Sequence, residues 1–267
     1  MSNPYIPFAS EIKAIIPHTA IEYTFRMGYV GEVHPGQFFE VSIPKYGEAP
    51  ISVSGIGPDY VDLTIRRVGR VTNEIFTYQP GRTLLMRGPY GNGFPVDTEL
   101  KGKDLLIIAG GIGLAPVRSV INYVRANRSN YGTLDIVYGS RSKEDLVDYQ
   151  EILDEWMAED GINVHLTIDR EQPDWDGHVG FVPNYVKELN FDTSKTVVMC
   201  GPPIMIKFTL AGLEELGFQR DQVYTTFELK MKCALGKCGR CNIGDKYVCK
   251  DGPVFRLDQM TELPDEY

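Results

Sequence analysis

Leu105-Leu106-Ile107-Ile108-Ala109-Gly110-Gly111-Ile112-Gly113-Leu114-Ala115-Pro116 is the stretch that decides the fold class. Five consecutive apolar residues read as a strand buried on both faces, and a glycine turn follows at once. Val117, Val120, Ile121 and Val124 then recur at the spacing of one face of a helix. Strand, glycine turn and helix in this order begin a parallel sheet with helices packed on it. Glycines at such a turn let the backbone approach a pyrophosphate, and the helix start offers free N–H groups and a positive dipole end. Gly110, Gly111, Gly113, Ala115 and Pro116 are therefore the candidate nucleotide loop. The match to G-x-G-x-x-G is partial, because Pro116 stands where the third glycine would be.

Downstream the alternation continues. Strands are expected at 134–138, 162–168, 196–200 and 222–227, with helices at 182–189 and 203–216. Leu146, Tyr149, Leu153 and Trp156 fit one side of a further helix. The second strand ends in Tyr138-Gly139-Ser140-Arg141 without an acidic residue, and Gly139, Ser140 and Arg141 join the candidate nucleotide contacts. Cys200-Gly201-Pro202-Pro203 closes a later strand, at the sheet end where open α/β sheets bind ligands. A lone cysteine there is more often buried packing than chemistry, so it is the position of Cys200 that marks it.

Upstream the rhythm is different. Short β segments at 11–16, 21–27, 37–43, 51–54, 61–67 and 83–87 are separated by Pro and Gly turns, with one helical candidate at 71–78. Short strands at this spacing predict a small barrel or sandwich.

Four of the five cysteines, Cys233, Cys238, Cys241 and Cys249, fall within 17 residues. The first three have the C-x4-C-x2-C spacing of plant-type iron–sulfur sites, and a fourth follows. Gly236, Gly239 and Gly244 permit the tight turns that aim N–H groups at sulfur. Two metals fit the donor set: a [2Fe-2S] cluster, which the spacing favours, and a structural zinc with four thiolates, which would fold the segment but move no electrons. Residues 228–250 carry Lys230, Lys232, Lys237, Arg240, Lys246 and Lys250 against Glu228 and Asp245, a net charge of +4. Such a collar offsets a thiolate-ligated cluster and can dock an acidic partner; a solvated surface loop is the plainer reading.

At 267 residues, 43% hydrophobic and 24% charged, the chain is long enough for two domains with cores of their own. Its net charge of -9 disfavours a binder of the nucleic acid backbone. The N-terminus shows no basic and apolar leader pattern, so a cytoplasmic location is expected. The four histidines form no H-E-x-x-H pair and no G-x-S-x-G elbow occurs, which leaves hydrolase readings without support.

Glycine turn, Cys-Gly-Pro-Pro turn and cysteine tail, in this order behind a β domain, resemble the ferredoxin reductase superfamily, and in it the group of dihydroorotate dehydrogenase electron-transfer subunits. Five stretches, 48–54 (EAPISVS), 67–72 (RVGRVT), 91–98 (GNGFPVDT), 201–206 (GPPIMI) and 247–253 (YVCKDGP), are most similar to the anaerobic sulfite reductase B subunits of that group. The resemblance spans nearly the whole chain. It implies a β barrel plus an α/β domain: an FAD-binding antiparallel barrel over 1–98, a parallel-sheet NAD(P)H-binding domain over 99–227 and a C-terminal [2Fe-2S] segment over 228–267.

By the same resemblance Ala49, Pro50, Ile51, Ser52 and Val53 line the flavin. Thr64, Ile65 and Arg66 border its ribityl and phosphate part, and Gly69, Val71 and Thr72 open a helix at the FAD pyrophosphate. Arg66 suits phosphate as a bidentate cation, although an ordinary exposed strand charge reads the same way. The superfamily's usual Arg and aromatic in the first flavin motif are Ala49 and Ile51 here, which predicts weaker FAD binding. Cys200, Gly201 and Pro202 would lie where nicotinamide meets flavin, with Cys200 the nearest side chain to the chemistry. Arg141 is a candidate for a 2'-phosphate, but Glu144 and Asp145 oppose it, and the resemblance favours NADH. The implied partners are an iron–sulfur relay subunit and a sirohaem sulfite reductase subunit. The alternatives are the electron-transfer subunit of a dihydroorotate dehydrogenase, the flavin subunit of a cytosolic hydrogenase, or a zinc-binding adaptor without catalysis.

Overall fold

A computed structural model describes residues 3–264 and 266–267. Six short strands near the N-terminus, β1 (Phe8–Pro17), β2 (Glu22–Gly28), β3 (Phe38–Ile43), β4 (Gly47–Ile56), β5 (Tyr60–Arg66) and β6 (Thr83–Tyr90), close into an antiparallel barrel. Their order around it is β1-β2-β5-β4-β3-β6. Closure leaves no unpaired strand edge, and alternate residues such as Ile12, Phe25, Met27, Phe39, Val41, Val53, Leu63, Ile65, Leu84 and Met86 fill the interior. A short helix α1 (Arg70–Ile75) buries Val71 and Ile75 against this core.

The second unit runs β7 (Leu105–Gly110), α2 (Leu114–Ala126), β8 (Leu134–Ser140), α3 (Tyr149–Asp154), β9 (Ile162–Ile168), β10 (His178–Val179), α4 (Val182–Leu189), β11 (Thr196–Cys200), α5 (Pro203–Leu216) and β12 (Val223–Thr226). These strands are parallel, in the order β10-β9-β8-β7-β11-β12. Residues 105–109 of β7 are buried throughout, as an apolar run covered on both faces must be. The register aligns Gly110 with Gly139 and Cys200 with Ala109, so three candidate turns leave the same edge of the sheet.

Three expectations need correction. The helix drawn through Leu146, Tyr149, Leu153 and Trp156 is broken: Asp148 takes a left-handed φ of 54°, α3 spans only Tyr149–Asp154, and Leu153 is exposed. Leu146 and Trp156 still reach the core from the loop and 3-10 turn on either side of α3, so the period in the sequence does not reveal the break. β4 begins at Gly47, not 51, which draws the first flavin motif into the barrel wall from its first residue. Helix α1 stops at Ile75 rather than 78.

The C-terminal segment is built into the sheet. A two-strand hairpin, β13 (Asn242–Ile243) with β14 (Lys246–Tyr247), leads through α6 (Val248–Asp251) to β15 (Val254–Arg256). β15 adds to β12 antiparallel, Thr225 opposite Phe255. Asn92, just beyond the barrel, donates its side-chain amide to the Asp251 and Val254 carbonyls at 3.1 and 2.7 Å. The cysteine segment is thus anchored at both ends. Among the described residues no helix is long and apolar enough to cross a membrane.

Candidate functional site at the barrel and sheet junction

The chain leaves β7 toward β8 on one side and leaves β11 toward β12 on the other, so a crevice opens between the ends of β7 and β11. The turn at Gly110–Gly113 and the turn at Cys200–Pro202 pack against each other there. Two glycines are demanded by geometry. Gly111 has φ of 53°, and a Cβ on Gly113 would stand 2.6 Å from the Cys200 carbonyl oxygen, backbone that cannot yield. Ala115 and Pro116 are buried and pack α2 against the sheet, so what they offer a ligand is main chain. Gly139 lies under Val182 and Thr167, which a Cβ would strike. The Ser140 hydroxyl donates to the Asp145 carbonyl at 2.8 Å. Arg141 is exposed, and its charge, with that of Arg170, acts on Asp169, whose pKa burial raises.

On the barrel side, Ala49, Pro50, Ile51 and Ser52 are half-buried or exposed, whereas Val53 and Ile65 point into the core and present only backbone outward. The Thr64 hydroxyl donates to Ser54 Oγ at 2.8 Å and pairs with Thr24 Oγ1 at 2.7 Å, and Thr24 in turn meets His18 Nε2 at 2.7 Å. Arg66 Nε donates to Glu22 Oε1 at 2.6 Å, while its Nη2 lies 3.3 Å from where a Gly111 Cβ would stand. Arg66 therefore bridges the barrel wall and the nucleotide loop. Gly69 has no Cβ to crowd the start of α1, and Thr72 Oγ1 accepts the Val68 and Gly69 N–H groups at 3.0 and 2.9 Å. With its hydroxyl engaged, Thr72 offers a ligand its N–H, beside that of Val71.

Several residues of this junction carry no sequence signal. Arg118 on α2 is largely buried and donates to the Ser54 carbonyl of β4 at 2.9 Å and to Glu151 Oε2 at 3.0 Å. Asp62 and Asp148 flank it at 3.9 and 3.6 Å. Burial would lower its pKa, but Asp148 and Glu151 outweigh that and hold it above the usual arginine value. His18 and Asp148 approach to 3.4 Å, yet they are not an ion pair at neutral pH. Burial and the Arg118 charge lower His18 to about 4, while burial raises Asp148 to about 7.

Glu228 follows β12 and is exposed; crowding by neighbouring protein raises its pKa against the pull of the Arg66 charge. Cys200 is buried, accepts a hydrogen bond from Thr226 Oγ1 at 3.0 Å, and is pushed up to about 12 by burial and the Glu228 charge. It is a neutral thiol at physiological pH and no nucleophile.

The four tail cysteines stand as two neighbouring pairs, the Cys238 side chain acting on the Cys233 thiol and that of Cys241 on Cys249. Gly236, Gly239 and Gly244 have φ of 66°, 69° and 55°, and Ala234 joins them at 57°. These left-handed turns aim N–H groups inward: Leu235 and Lys237 donate to Cys233 Sγ at 3.3 and 3.4 Å, and Gly236 to Cys249 Sγ at 3.1 Å. Burial raises the Cys233 pKa, but the N–H donors of Leu235, Lys237 and Cys238 outweigh it and bring the thiol down to about 7. Among the described residues no three His, Cys, Asp or Glu side chains gather about one ion. Two thiol pairs with amide donors to sulfur suit a two-iron cluster, one pair to each metal. Arg87, buried on β6, links this loop to the barrel. It is bidentate to Glu48 of β4 at 2.8 and 3.0 Å and donates to the Cys233 carbonyl at 2.9 Å.

Residues 107–210 match the family described as oxidoreductase NAD-binding domain, and residues 228–261 match the iron–sulfur cluster binding domain of dihydroorotate dehydrogenase B. Sulfhydrogenase 1 subunit gamma of Pyrococcus furiosus is 39% identical over 257 residues, covering 93% of this chain and 85% of that one. The probable dihydroorotate dehydrogenase B (NAD(+)) electron transfer subunit of Pyrococcus horikoshii is 34% identical, covering 90% of each. Among solved structures, an NADH-dependent reduced ferredoxin-NADP oxidoreductase chain superposes with a TM-score of 0.75 at 24% identity over 94% of this chain and 91% of that one. The cytochrome b5 reductase domain of Ulva prolifera nitrate reductase gives 0.70 at 22% identity over 84% and 98%. At those identities the structures attest the fold.

Proposed function

Because the chain belongs to the family of ferredoxin-reductase-type electron-transfer subunits that includes sulfhydrogenase gamma and dihydroorotate dehydrogenase B electron transfer subunits, we propose that it is the NADH-oxidising input subunit of a multi-subunit redox enzyme. In this reading residues 1–98 hold FAD, 99–227 hold NADH and 228–267 hold a [2Fe-2S] cluster through Cys233, Cys238, Cys241 and Cys249. A bound flavin accepts electrons as a hydride pair and releases them singly, which is what a one-electron iron–sulfur centre requires.

The chain's own residues then bind, orient and insulate. Ala49–Ser52, with the backbone of Val53 and Ile65 and the Thr64 side, would face the flavin. Arg66 and the N–H groups of Val71 and Thr72 would meet its phosphates. Gly110, Gly111 and Gly113 would take the nicotinamide dinucleotide's pyrophosphate, with Cys200, Gly201 and Pro202 under its nicotinamide. Gly139, Ser140 and Arg141 would face the adenosine half. The Ser140 hydroxyl is already spent on Asp145 and the Arg141 charge is opposed by Asp169, which favours a ribose diol over a 2'-phosphate and so NADH.

One observation carries this reading: Arg66 of the barrel reaches Gly111 in the turn after β7 and acts on Glu228, whose charge acts in turn on Cys200, while Arg87 ties that barrel to the cysteine loop. The relatives' names favour a hydrogenase-type or dihydroorotate dehydrogenase-type catalytic partner over the sirohaem sulfite reductase that the five stretches from 48–54 to 247–253 together suggest. Anaerobically purified protein is expected to show flavin and iron–sulfur absorption, acid-labile sulfide, and NADH-dependent reduction of a dye. A colourless protein with one zinc overturns the assignment, and co-purification from the native host identifies the terminal subunit.

A further inference from the structure

We infer that the Cys238 face of the cysteine segment is an electrostatic docking surface for an acidic protein, the partner that receives the electrons. This rests on the electron-input reading above and adds the chemistry of the recipient.

Three observations converge. First, the four thiols are unequally exposed: Cys241 and Cys249 are buried, Cys233 is partly covered, and Cys238 is open to solvent. The Cys233–Cys238 pair is therefore the side of the site nearest the outside, and a partner must approach there to shorten the transfer distance. Second, residues 229–244 contain Lys230, Lys232, Lys237 and Arg240 and no acidic residue. All four are exposed, and the Lys250 stem packs on Gly236, bringing a fifth cation alongside. Among the described residues Lys230, Lys232 and Arg240 have no ion-pair partner, and Lys237 only overlies the Tyr5 ring at 5.6 Å. The acidic residues of the segment border this stretch without interrupting it: Asp245 sits beside Lys246, Asp251 beside Lys250, and Glu262 beside Gly244 at its end. Third, residues 228–250 carry +4 in a chain of -9, so the remaining surface is near -13. An acidic protein meets net repulsion from the rest of the chain and net attraction at this island. The asymmetry would orient the encounter with Cys238 toward the partner, raising the association rate at low salt.

The test uses the cofactor-loaded full chain with three one-electron acceptors: an acidic flavodoxin, basic cytochrome c and a small uncharged quinone. Affinity is read independently by titrating oxidised flavodoxin into the oxidised subunit. Raising salt from about 20 mM to about 300 mM should weaken flavodoxin binding about tenfold and slow its reduction in parallel, with quinone reduction unchanged. K230E/R240E, checked for unaltered visible absorption, should weaken flavodoxin binding about tenfold at low salt and spare the quinone rate. Flavodoxin affinity indifferent to salt, or tighter binding of cytochrome c, overturns the inference without need of any variant. Failure of NADH to reduce the quinone would sink the electron-input reading instead, and the titration would still decide the charge claim.

Discussion

The cysteine segment and the barrel–sheet junction assemble a site in opposite ways. In the segment, four donors lie within 17 residues, and left-handed turns at Ala234, Gly236, Gly239 and Gly244 bring the donor N–H groups with them. At the junction, Ser54, Thr64, Arg66, Arg118, Asp148 and Glu228 come from distant parts of the chain and meet only because two domains pack. A site written into local spacing should fail locally when altered. A site made by packing should fail through domain orientation and stability. Each of the following experiments separates the two.

The largest effect is expected from Cys238→Ser. Loss of one cluster ligand should lower electron delivery to a partner by about a hundredfold or more, with loss of iron–sulfur absorption, while NADH-driven dye reduction by the isolated subunit persists. Full-rate delivery by this variant would mean that electrons leave by another route.

Next is Arg118→Ala. Removing the guanidinium leaves Asp148 and Glu151 without their shared cation under cover, while Asp62 keeps its bidentate pair with Arg26; the expected loss is about 3 kcal/mol. Thermal unfolding should register it, and flavin should dissociate more readily while the cysteine segment keeps its metal when folded. An unchanged melting temperature would show that the junction does not depend on this clamp, and partial rescue by Arg118→Lys would identify the charge as its working part.

The buried pair at the junction predicts a pH effect with a definite sign. His18, lowered to about 4 from 6.5, contributes stability that is present above about pH 6.5 and lost as pH falls toward 4. Asp148, raised to about 7 from 3.8, works the other way: its contribution is present at low pH and lost as pH rises toward 7. The two offset each other between about pH 4 and 6.5, so the native protein should show little dependence from them there. Asp148→Asn should unmask His18, giving stability that rises by on the order of 2 kcal/mol from pH 4 to 6.5 relative to the native protein. His18→Gln should unmask the reverse slope. Parallel pH profiles for both variants and the native protein would refute the coupling.

The smallest effect belongs to Gly111→Ala. A left-handed φ of 53° costs an alanine about 1 kcal/mol, and its Cβ would crowd Arg66 at 3.3 Å. A rise of a few fold in KM for NADH, with kcat changed less, is the expected outcome in steady-state kinetics; an unchanged KM would place the dinucleotide elsewhere.

Much of the plan was legible before any coordinates. The apolar strand 105–109, the glycine turn after it and the helical spacing of Val117, Val120, Ile121 and Val124 announce a parallel sheet, because burial on both faces and turn chemistry are local demands. The cysteine spacing announces its cluster for the same reason. The break at Asp148 is not legible, since Leu146, Tyr149, Leu153 and Trp156 keep helical spacing whether or not the chain between them is one helix. Nor was the capture of β15 by the edge of β12, which depends on a strand pairing 30 residues away in sequence.

What the sequence alone determined is the set of parts: a turn-rich β domain, an alternating α/β domain and a four-thiolate segment, each specified by periodicity or spacing over a few tens of residues. Only the tertiary structure decided how they face one another. Arg118 reads as one more polar residue on an amphipathic helix until Ser54 and Asp62 of the barrel meet it, Arg87 as a strand residue until the Cys233 carbonyl does, and Glu228 as a linker acid until Arg66 and Cys200 come within reach of its charge. A charge takes its role from partners and desolvation, and both are properties of packing that no local pattern encodes.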